Sequence, residues 1–309
     1  MNHHVIIGAG PIGSGIAALL AGRGESVTVV TRSGTGPDHA LITKLKADAT
    51  DADALVLAAS GTTAIYNCAN PPYHKWASDW PPMHRAMMTA AERSGAVLVM
   101  MDNLYAFGSG SRMPMHEGDA MNAFGTKGAM RARMARELLE AHATGRLRGT
   151  LARASDFYGP QVLGSSLGKR VLPRVLAGKK VSMLGALNVP HSISYIADVT
   201  TTLVTIAEDE RAWGKPWHVP NAPAPTQREA VHAFATAAGT TVKVTAVAKP
   251  ALSALGLFVP MMRELKETWY QYAEPWITDS MLTEQTFGLR ATPLEEGAAA
   301  TVAWWRGRS

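Results

Sequence analysis

Cysteine is nearly absent from this sequence, which carries Cys68 alone among its 309 residues. One thiol cannot build an intramolecular disulfide framework, so we expect a protein of the reducing cytoplasm, with Cys68 packed at a strand end. Long apolar runs are also missing, because charge, glycine or proline interrupts each run well before the length of a membrane span. We therefore expect neither a membrane protein nor an exported one.

Charge is sparse as well: charged residues make up 18% of the chain and hydrophobic residues 47%, which is typical of a globular protein. The net charge is +5, yet the basic residues are scattered. The densest group, Arg131, Arg133 and Arg136, lies on a predicted helix with an apolar opposite face, and we interpret it as a solvated helix surface. The ten histidines include no HExxH and no cluster with metal-ligand spacing. We expect no nucleic-acid or membrane partner and no metal.

The first half of the chain alternates β-branched runs with runs rich in alanine and leucine. Strands that are apolar on both faces and separated by helices predict a parallel sheet covered by helices, with right-handed crossovers. The fold class that follows is α/β, a Rossmann-type doubly wound parallel sheet. The predicted strands are 4–7, 27–31, 64–69, 97–101 and 150–154, and the predicted helices are 12–22, 53–59, 83–94 and 121–143.

The second half has shorter elements and more proline and tryptophan. After a predicted loop over 156–168, Pro260 could open a helix that packs through one side, formed by Met261, Leu265, Trp269 and Tyr272. We predict a smaller C-terminal cap that binds substrate. The nucleotide domain would comprise residues 1–158 with 189–220, and the cap residues 159–188 with 221–309.

The strongest local motif is Gly8-Ala9-Gly10-Pro11-Ile12-Gly13, which directly follows a strand and opens a helix. This is the context that the GxGxxG dinucleotide fingerprint requires. Gly8 permits the tight turn, Gly10 lets the backbone approach a pyrophosphate, and Gly13 lets the helix sit close to the sheet. The helix N-terminus adds free N–H groups and partial positive charge, and Ile12 lies in the same segment. We predict a bound dinucleotide.

The end of the second strand indicates which dinucleotide. An NAD site usually places Asp or Glu there to accept hydrogen bonds from the ribose hydroxyls. This sequence has Thr31-Arg32-Ser33 instead. Arg32 could pair with a 2′-phosphate, and Thr31 and Ser33 could donate to it. The pattern favours NADP(H) as the cofactor.

Several segments together carry a family resemblance, namely the glycine fingerprint, 47–51, 97–108 with Lys127, 153–160, 191–199, 287–297 and 301–304. They resemble the short-chain dehydrogenase/reductases, and within them the extended or atypical branch that includes NAD-dependent epimerases and dehydratases. The resemblance covers essentially the whole chain. It implies that Asp48 binds the adenine, Asn70 lies near the nicotinamide ribose and Lys127 holds the ribose hydroxyls.

Two departures from that family concern the acid chemistry. The family's catalytic tyrosine lies four residues before the lysine, so that the ammonium lowers the pKa of the phenol. Here that position is Ala123, which cannot donate a proton. The family's catalytic Ser or Thr corresponds to Asn103, an amide that can hydrogen-bond a carbonyl but is no acid at neutral pH.

Three hypotheses for the chemistry stay open. Tyr105 is either a displaced proton donor or a packed aromatic, since strand alternation would place it on the same face as Asn103. Alternatively, a phenol beside the ketone of an aromatic polyketide supplies the proton, and the enzyme contributes positioning and electrostatic support. An apolar cap would suit such a planar substrate. Its candidate lining residues are Tyr73, Trp76, Trp80, Phe157, Tyr158 and Met183.

In the third hypothesis the protein binds NADP(H) without turnover and acts as a sensor. Our main interpretation is an NADPH-dependent ketoreductase for an aromatic, polyketide-like small molecule of the kind found in antibiotic biosynthesis, with Asn103, Tyr105 and Lys127 at the catalytic centre. The first alternative is an NAD(P)-dependent epimerase or dehydratase acting on a sugar-like substrate. The segment 164–168 fits the GxSxG pattern of hydrolases, but it lies in a predicted loop without a strand-to-helix elbow, and we interpret it as a substrate-side loop.

Overall fold

The chain forms two compact units in a computed structural model that describes residues 2–250 and 264–308. Unit 1 comprises Met1–Gly108, Ala120–Arg153 and Val199–Trp217. Unit 2 comprises Ser109–Asp119, Ala154–Asp198 and His218–Ser309. None of the helices in these described ranges is both long enough and apolar enough to cross a bilayer.

Unit 1 is built on a seven-stranded sheet with the order β10-β6-β5-β4-β1-β2-β3. Its core strands pair in parallel, with Ile6 of β1 opposite Val29 of β2 and Tyr66 of β4. The order 3-2-1-4-5-6 within this sheet is that of a Rossmann fold. The predicted α/β parallel sheet is confirmed. The strands are β1 His3–Ile7, β2 Ser26–Thr31, β3 Ile42–Lys46, β4 Ala64–Asn67, β5 Val97–Asn103, β6 Arg148–Ala154 and β10 Pro216–His218.

Helices connect the strands of this sheet and bury their inner faces against it. Leu55, Met87 and Leu138 come from three different helices and are almost completely buried in one apolar core with Ile65 and Leu98 of the sheet. At about 25 cal/mol per Å² of apolar surface, this burial is the main stabilising contribution. The helices are α1 Pro11–Gly22, α2 Ala52–Ala58, α3 Trp76–Ser94, α4 Thr126–Ala143 and α6 Ile196–Glu208, the last of which begins in unit 2.

The prediction missed strand β10 of this sheet, and three further differences concern β3, α3 and α4. The strand β3 was missed, because Ile42–Lys46 carries two lysines and alternates only weakly. The helix α3 begins at Trp76 rather than at residue 83, and it accommodates Pro81 and Pro82. The helix α4 begins at Thr126 rather than at residue 121, because Gly125 has a φ of 98° and ends the preceding loop.

Unit 2 has two small parallel sheets, in which β8 (Val181–Leu184) pairs with β11 (Val244–Val247) and β7 (Asp156–Tyr158) pairs with β9 (Ile193–Tyr195). The segment 156–168 was predicted as a loop, and its first three residues are strand β7 instead.

The core of unit 2 lies between α5, α7 and the last helix. Val175, Phe234, Ala298 and Val302 are buried there together. Its helices are α5 Leu172–Leu176, α7 Gln227–Ala237, Tyr270–Ala273, Met281–Phe287 and Leu294–Arg306. Pro260 and Met261, from the predicted packing helix, lie outside the described residues, whereas Tyr272 of that prediction is buried.

Candidate functional site

The glycine motif forms the turn between β1 and α1. Gly8 has a φ of 102°, a conformation that L side chains rarely adopt, and an added Cβ would lie 2.8 Å from the Ala69 backbone. A Cβ on Gly13 would lie 1.9 Å from the Gly8 carbonyl oxygen, so the helix packs directly on the turn. A Cβ on Gly10 would have no atom of the described residues within 4 Å. Gly10 is also the N-cap of α1 and has no side chain to cap the helix, so this end offers free N–H groups to a ligand. Ile12, half-buried, follows in the first turn.

These features fit the diphosphate of a dinucleotide. The turn combines open space at Gly10 with N–H donors and the positive end of the α1 dipole.

The predicted 2′-phosphate residues follow the end of β2. The hydroxyl of Thr31 donates to the Thr35 carbonyl at 2.9 Å, and the Ser33 hydroxyl lies 2.7 Å from that of Thr35. Arg32 is exposed, and within the described residues no hydrogen bond or ion pair holds its guanidinium. Asp48, beyond the end of the neighbouring β3, accepts hydrogen bonds from the backbone N–H and hydroxyl of Thr50. These two bonds and, more weakly, the charge of Arg32 lower the pKa of Asp48.

Asn70 and Asn103 follow β4 and end β5, respectively. Asn70 is exposed. The amide oxygen of Asn103 accepts a hydrogen bond of 3.0 Å from the Tyr105 backbone N–H and caps the short 3₁₀ helix Leu104–Ala106. Because β5 ends at Asn103, the alternation argument for Tyr105 was wrong. A 3₁₀ turn, and not a strand, carries its side chain.

Ala123 lies in the loop before α4, where its backbone N–H donates to the Ala106 carbonyl at 3.1 Å. It packs between two glycines. A Cβ on Gly108 would lie 2.7 Å from the Ala123 Cα, and one on Gly128 would lie 2.5 Å from the Ala123 Cβ. Ala123 therefore lies outside α4, although the predicted helix 121–143 includes it, whereas Lys127 belongs to the helix.

Lys127 is buried in the first turn of α4, and its ammonium lies over the ring of Tyr73, 4.8 Å from the centroid. The Tyr73 hydroxyl in turn donates to the Tyr105 hydroxyl at 3.3 Å. The Tyr105 ring also packs on Trp76, with the centroids 5.8 Å apart. The structure thus brings an ammonium and two phenols together in unit 1, and a phenol in such surroundings is a candidate acid.

A buried charge cluster lies beside these residues. Asp102 accepts a 2.8 Å hydrogen bond from Arg131 Nε at one carboxylate oxygen, and Arg153 Nε lies 3.4 Å from the other. All three residues are at most 2% exposed, so the prediction of a solvated helix surface is wrong for Arg131. The Arg131 guanidinium also stacks on Trp80, 4.7 Å from the ring centroid. Breaking such a buried cluster at one partner typically costs about 3–5 kcal/mol, because it leaves an uncompensated charge.

Sequence reasoning did not assign Tyr73 and Asp102 to this site. Tyr73 was predicted as cap lining, together with Trp80 and Tyr158, which are instead almost fully buried in the cores of units 1 and 2, respectively. Asp102 follows apolar strand residues and precedes Asn103. A carboxylate at a buried position needs a partner, and this signal was available in the sequence. The approach of Tyr73 to Lys127 depends on tertiary structure and left no such signal.

Two further ionisable groups, Cys68 and His84, have pKa values that are shifted by burial. Burial raises the pKa of the Cys68 thiol, as expected for an unreactive side chain. Burial, helped by nearby Arg131, lowers the pKa of His84 to about 4. The described residues contain no group of three or more metal-ligating side chains.

The strand order and the glycine turn together define a Rossmann-type dinucleotide-binding protein. The model of the NAD dependent epimerase/dehydratase family matches residues 5–219. The chain belongs to this family. Among curated proteins, none matches the sequence significantly.

Solved structures resemble this chain over its whole length. A UDP-N-acetylglucosamine 4-epimerase from Methanobrevibacter ruminantium, in complex with UDP-N-acetylmuramic acid, has a TM-score of 0.83 and 15% identity, covering 100% of this chain and 99% of its own. A dTDP-glucose 4,6-dehydratase from Bacillus anthracis, in complex with NAD, has a TM-score of 0.79 and 16% identity, covering 100% and 98%. The enzyme WbmH of Bordetella bronchiseptica, in complex with NAD+, has a TM-score of 0.76 and 19% identity, covering 99% of both chains. At these identities the similarity shows the fold.

Proposed function

We propose that this protein is a nicotinamide-dinucleotide-dependent enzyme that interconverts an alcohol and a carbonyl on a hydroxyl-rich, sugar-like small molecule. Family membership supports this proposal, and so do the sugar-nucleotide epimerases and dehydratases of the same fold. The observation that carries it is the cluster of Lys127, Tyr73 and Tyr105, which brings phenolic acids to the lysine although Ala123 stands at the usual tyrosine position.

NADP(H) is the cofactor that the residues favour. Gly8, Gly10 and Gly13 would hold the diphosphate, and Arg32 would pair with the 2′-phosphate at a strand end that has no carboxylate to meet the NAD ribose. Bound there, the cofactor supplies or accepts the hydride. Lys127 would hold the ribose hydroxyls, as the family resemblance implies.

Tyr105 is the residue that we assign as proton donor and acceptor. A phenol loses its proton more readily when its oxygen accepts a hydrogen bond and a cation lies nearby, because both stabilise the phenolate. Tyr73 supplies the hydrogen bond to Tyr105, and Lys127 supplies the charge on the face of the Tyr73 ring. The amide of Asn103 would orient the substrate oxygen.

A second candidate is net reduction of an aromatic ketone by NADPH, with the proton supplied by a substrate phenol. One observation favours it: Tyr73, Trp76 and Tyr105 form an aromatic cluster beside Lys127 that a planar ring could join. The lost tyrosine and retained lysine also resemble the angucyclinone ketoreductase of simocyclinone biosynthesis. None of the comparisons supports that likeness or a polyketide substrate.

The amount of cofactor consumed per molecule of substrate separates these functions. The purified protein is incubated with sub-stoichiometric and excess NADPH or NADP+ and a panel of nucleotide-linked hexoses and aryl ketones. An epimerase or dehydratase turns over a hexose without net loss of cofactor, whereas a reductase oxidises one NADPH per ketone consumed. Tight NADPH binding without turnover of any panel member would instead indicate a sensor and would contradict the proposed enzyme.

Phenylalanine variants test the assigned acid on whichever substrate is turned over. We expect Tyr105→Phe to lower kcat about 100-fold or more, the usual contribution of a general acid. Tyr73→Phe should lower kcat less and move the basic limb of its pH profile upward, because the phenolate of Tyr105 loses a hydrogen bond. Tyr66→Phe is the control, since that hydroxyl is buried on β4 and has no hydrogen-bond partner among the described residues. Wild-type kcat in Tyr105→Phe would rule out the assignment and leave the substrate-assisted route.

A further inference from the structure

Unit 2 contains a pocket whose polar lining includes Asp156, Ser166 and His191. The space that it encloses is about 10 Å³, room for one water-sized group such as an ammonium head, and its mouth is open to solvent. The Ser166 hydroxyl donates to Asp156 Oδ2 at 2.8 Å. His191 Nε2 lies 3.6 Å from the same oxygen. Although Ser166 belongs to the GxSxG segment, its hydrogen bond goes to the aspartate, so the group is no hydrolase triad.

The tautomer of His191 follows from its second ring nitrogen. Nδ1 lies 2.9 Å from the Gln271 carbonyl oxygen, which can only accept, so Nδ1 carries a proton. In the neutral ring Nε2 is then an acceptor. His191 cannot easily turn away, because its backbone N–H donates to the Pro225 carbonyl at 2.8 Å and its ring stacks on Tyr272 with an interplanar angle of 2°.

Two acceptors therefore face each other across 3.6 Å. His191 Nε2 is buried and has no hydrogen-bond partner in the described parts of the chain, where Asp156 likewise pairs with neither lysine nor arginine. A direct imidazolium–carboxylate bond would be shorter, about 2.7–2.9 Å. The gap suits an atom that donates one hydrogen to each acceptor from about 2.9 Å.

We propose that this pocket binds the primary ammonium group of a small ligand, which bridges His191 Nε2 and the Asp156 carboxylate. A hydroxyl has a single hydrogen and cannot donate to both acceptors, whereas an ammonium has three. The carboxylate also favours a cation and disfavours phosphate or another anion. Apolar contacts from Met183, Ile193 and Tyr272 complete the wall and suit the carbon skeleton of the ligand. The site does not depend on the proposed hydride transfer, since binding can be measured without turnover.

The test uses the full chain and two matched pairs of probes: D-glucosamine with D-glucose, and methylammonium with methanol. Binding is followed by NMR of the ¹⁵N-labelled His191 ring and by calorimetry near neutral pH. We expect both amines to give saturable shifts of the Nε2 signal, and we expect the hydroxyl probes to bind at least tenfold more weakly. Asp156→Asn should remove the preference for the amine.

The control is His232→Gln, which changes an exposed histidine on α7 and should leave amine binding intact. His191→Gln should abolish it. Equal binding of amine and hydroxyl probes would overturn the proposal. So would the absence of any amine-induced shift, which would mean that an ordered water alone bridges the two acceptors. A doubly protonated His191 ring near neutral pH would also overturn it, because the pair would then satisfy itself.

Discussion

Replacing Arg32 with alanine should weaken NADPH binding far more than NADH binding. The two cofactors differ in the 2′-phosphate, and Arg32 is an exposed guanidinium at the end of β2, without a carboxylate beside it in the sequence. At 4 Å in bulk water, one pair of unit charges is worth about 1 kcal/mol. A hydrogen bond to a charged group contributes about 1.5–3 kcal/mol, and exposure keeps the total near the lower end of that range.

A loss of about 1.5–2 kcal/mol corresponds to roughly a 10- to 30-fold rise in the NADPH dissociation constant. We expect less than about a twofold change for NADH by the same reasoning, since it has no group for Arg32 to contact. Calorimetric titration of both cofactors measures these values. The difference should shrink as salt is raised, because an exposed ion pair is screened.

Arg23→Ala is the matched control. Arg23 precedes β2, pairs with Glu208 at 3.1 Å and is similarly exposed. Its substitution therefore removes the same charge from the opposite end of the same strand. It should leave both dissociation constants unchanged. Equal losses for NADPH and NADH in Arg32→Ala would refute the assignment of Arg32 to the 2′-phosphate.

The glycine turn and the buried histidine give two further predictions. Gly13→Ala should destabilise the fold by about 1–3 kcal/mol through overpacking, because its Cβ would lie 1.9 Å from a carbonyl oxygen. Gly10→Ala, whose Cβ comes within 4 Å of no atom that the structure describes, should keep the wild-type Tm yet weaken dinucleotide binding. The reverse pattern would contradict the glycine roles. Because burial lowers the pKa of His84 to about 4, the unfolded chain binds more protons between pH 6.5 and 4. Urea unfolding should therefore show the free energy of unfolding falling by at most about 3 kcal/mol as the pH is lowered from 6.5 to 4. His84→Gln should remove this pH dependence. An unchanged pH dependence in that variant would disprove the assignment to His84.

Five of the seven strands of the central sheet were predictable from their hydrophobicity. Residues 4–7 and 97–100 are buried on both faces, and hydrophobicity alone locates such strands. Strand β3 was not predicted because it lies at the sheet edge, where Ile42–Lys46 is only half-buried and carries lysines. Edge strands commonly carry such residues, so a hydrophobic pattern does not reveal them.

The candidate site was predictable only in part. The glycine motif and Thr31-Arg32-Ser33 are local signals, and their placement around β1 and β2 follows from the chain direction. The cluster at Lys127 is not local, since Tyr73 begins a short 3₁₀ helix after β4 and Tyr105 lies in a 3₁₀ turn after β5. Rules of strand alternation and helical spacing cannot place side chains from such turns, and for that reason the position of Tyr105 was argued from the wrong element.

The ion pair between Asp102 and Arg131 has a consequence for the alignment of the site. Asp102 is the neighbour of Asn103 on β5, and Arg131 lies one helical turn after Lys127 on α4. The ion pair between Asp102 and Arg131 therefore also fixes the spacing between Asn103 and Lys127. Sliding α4 by a single turn, about 5.4 Å, would leave both charges unpaired in the core, so the ion pair keeps Lys127 in register with Asn103.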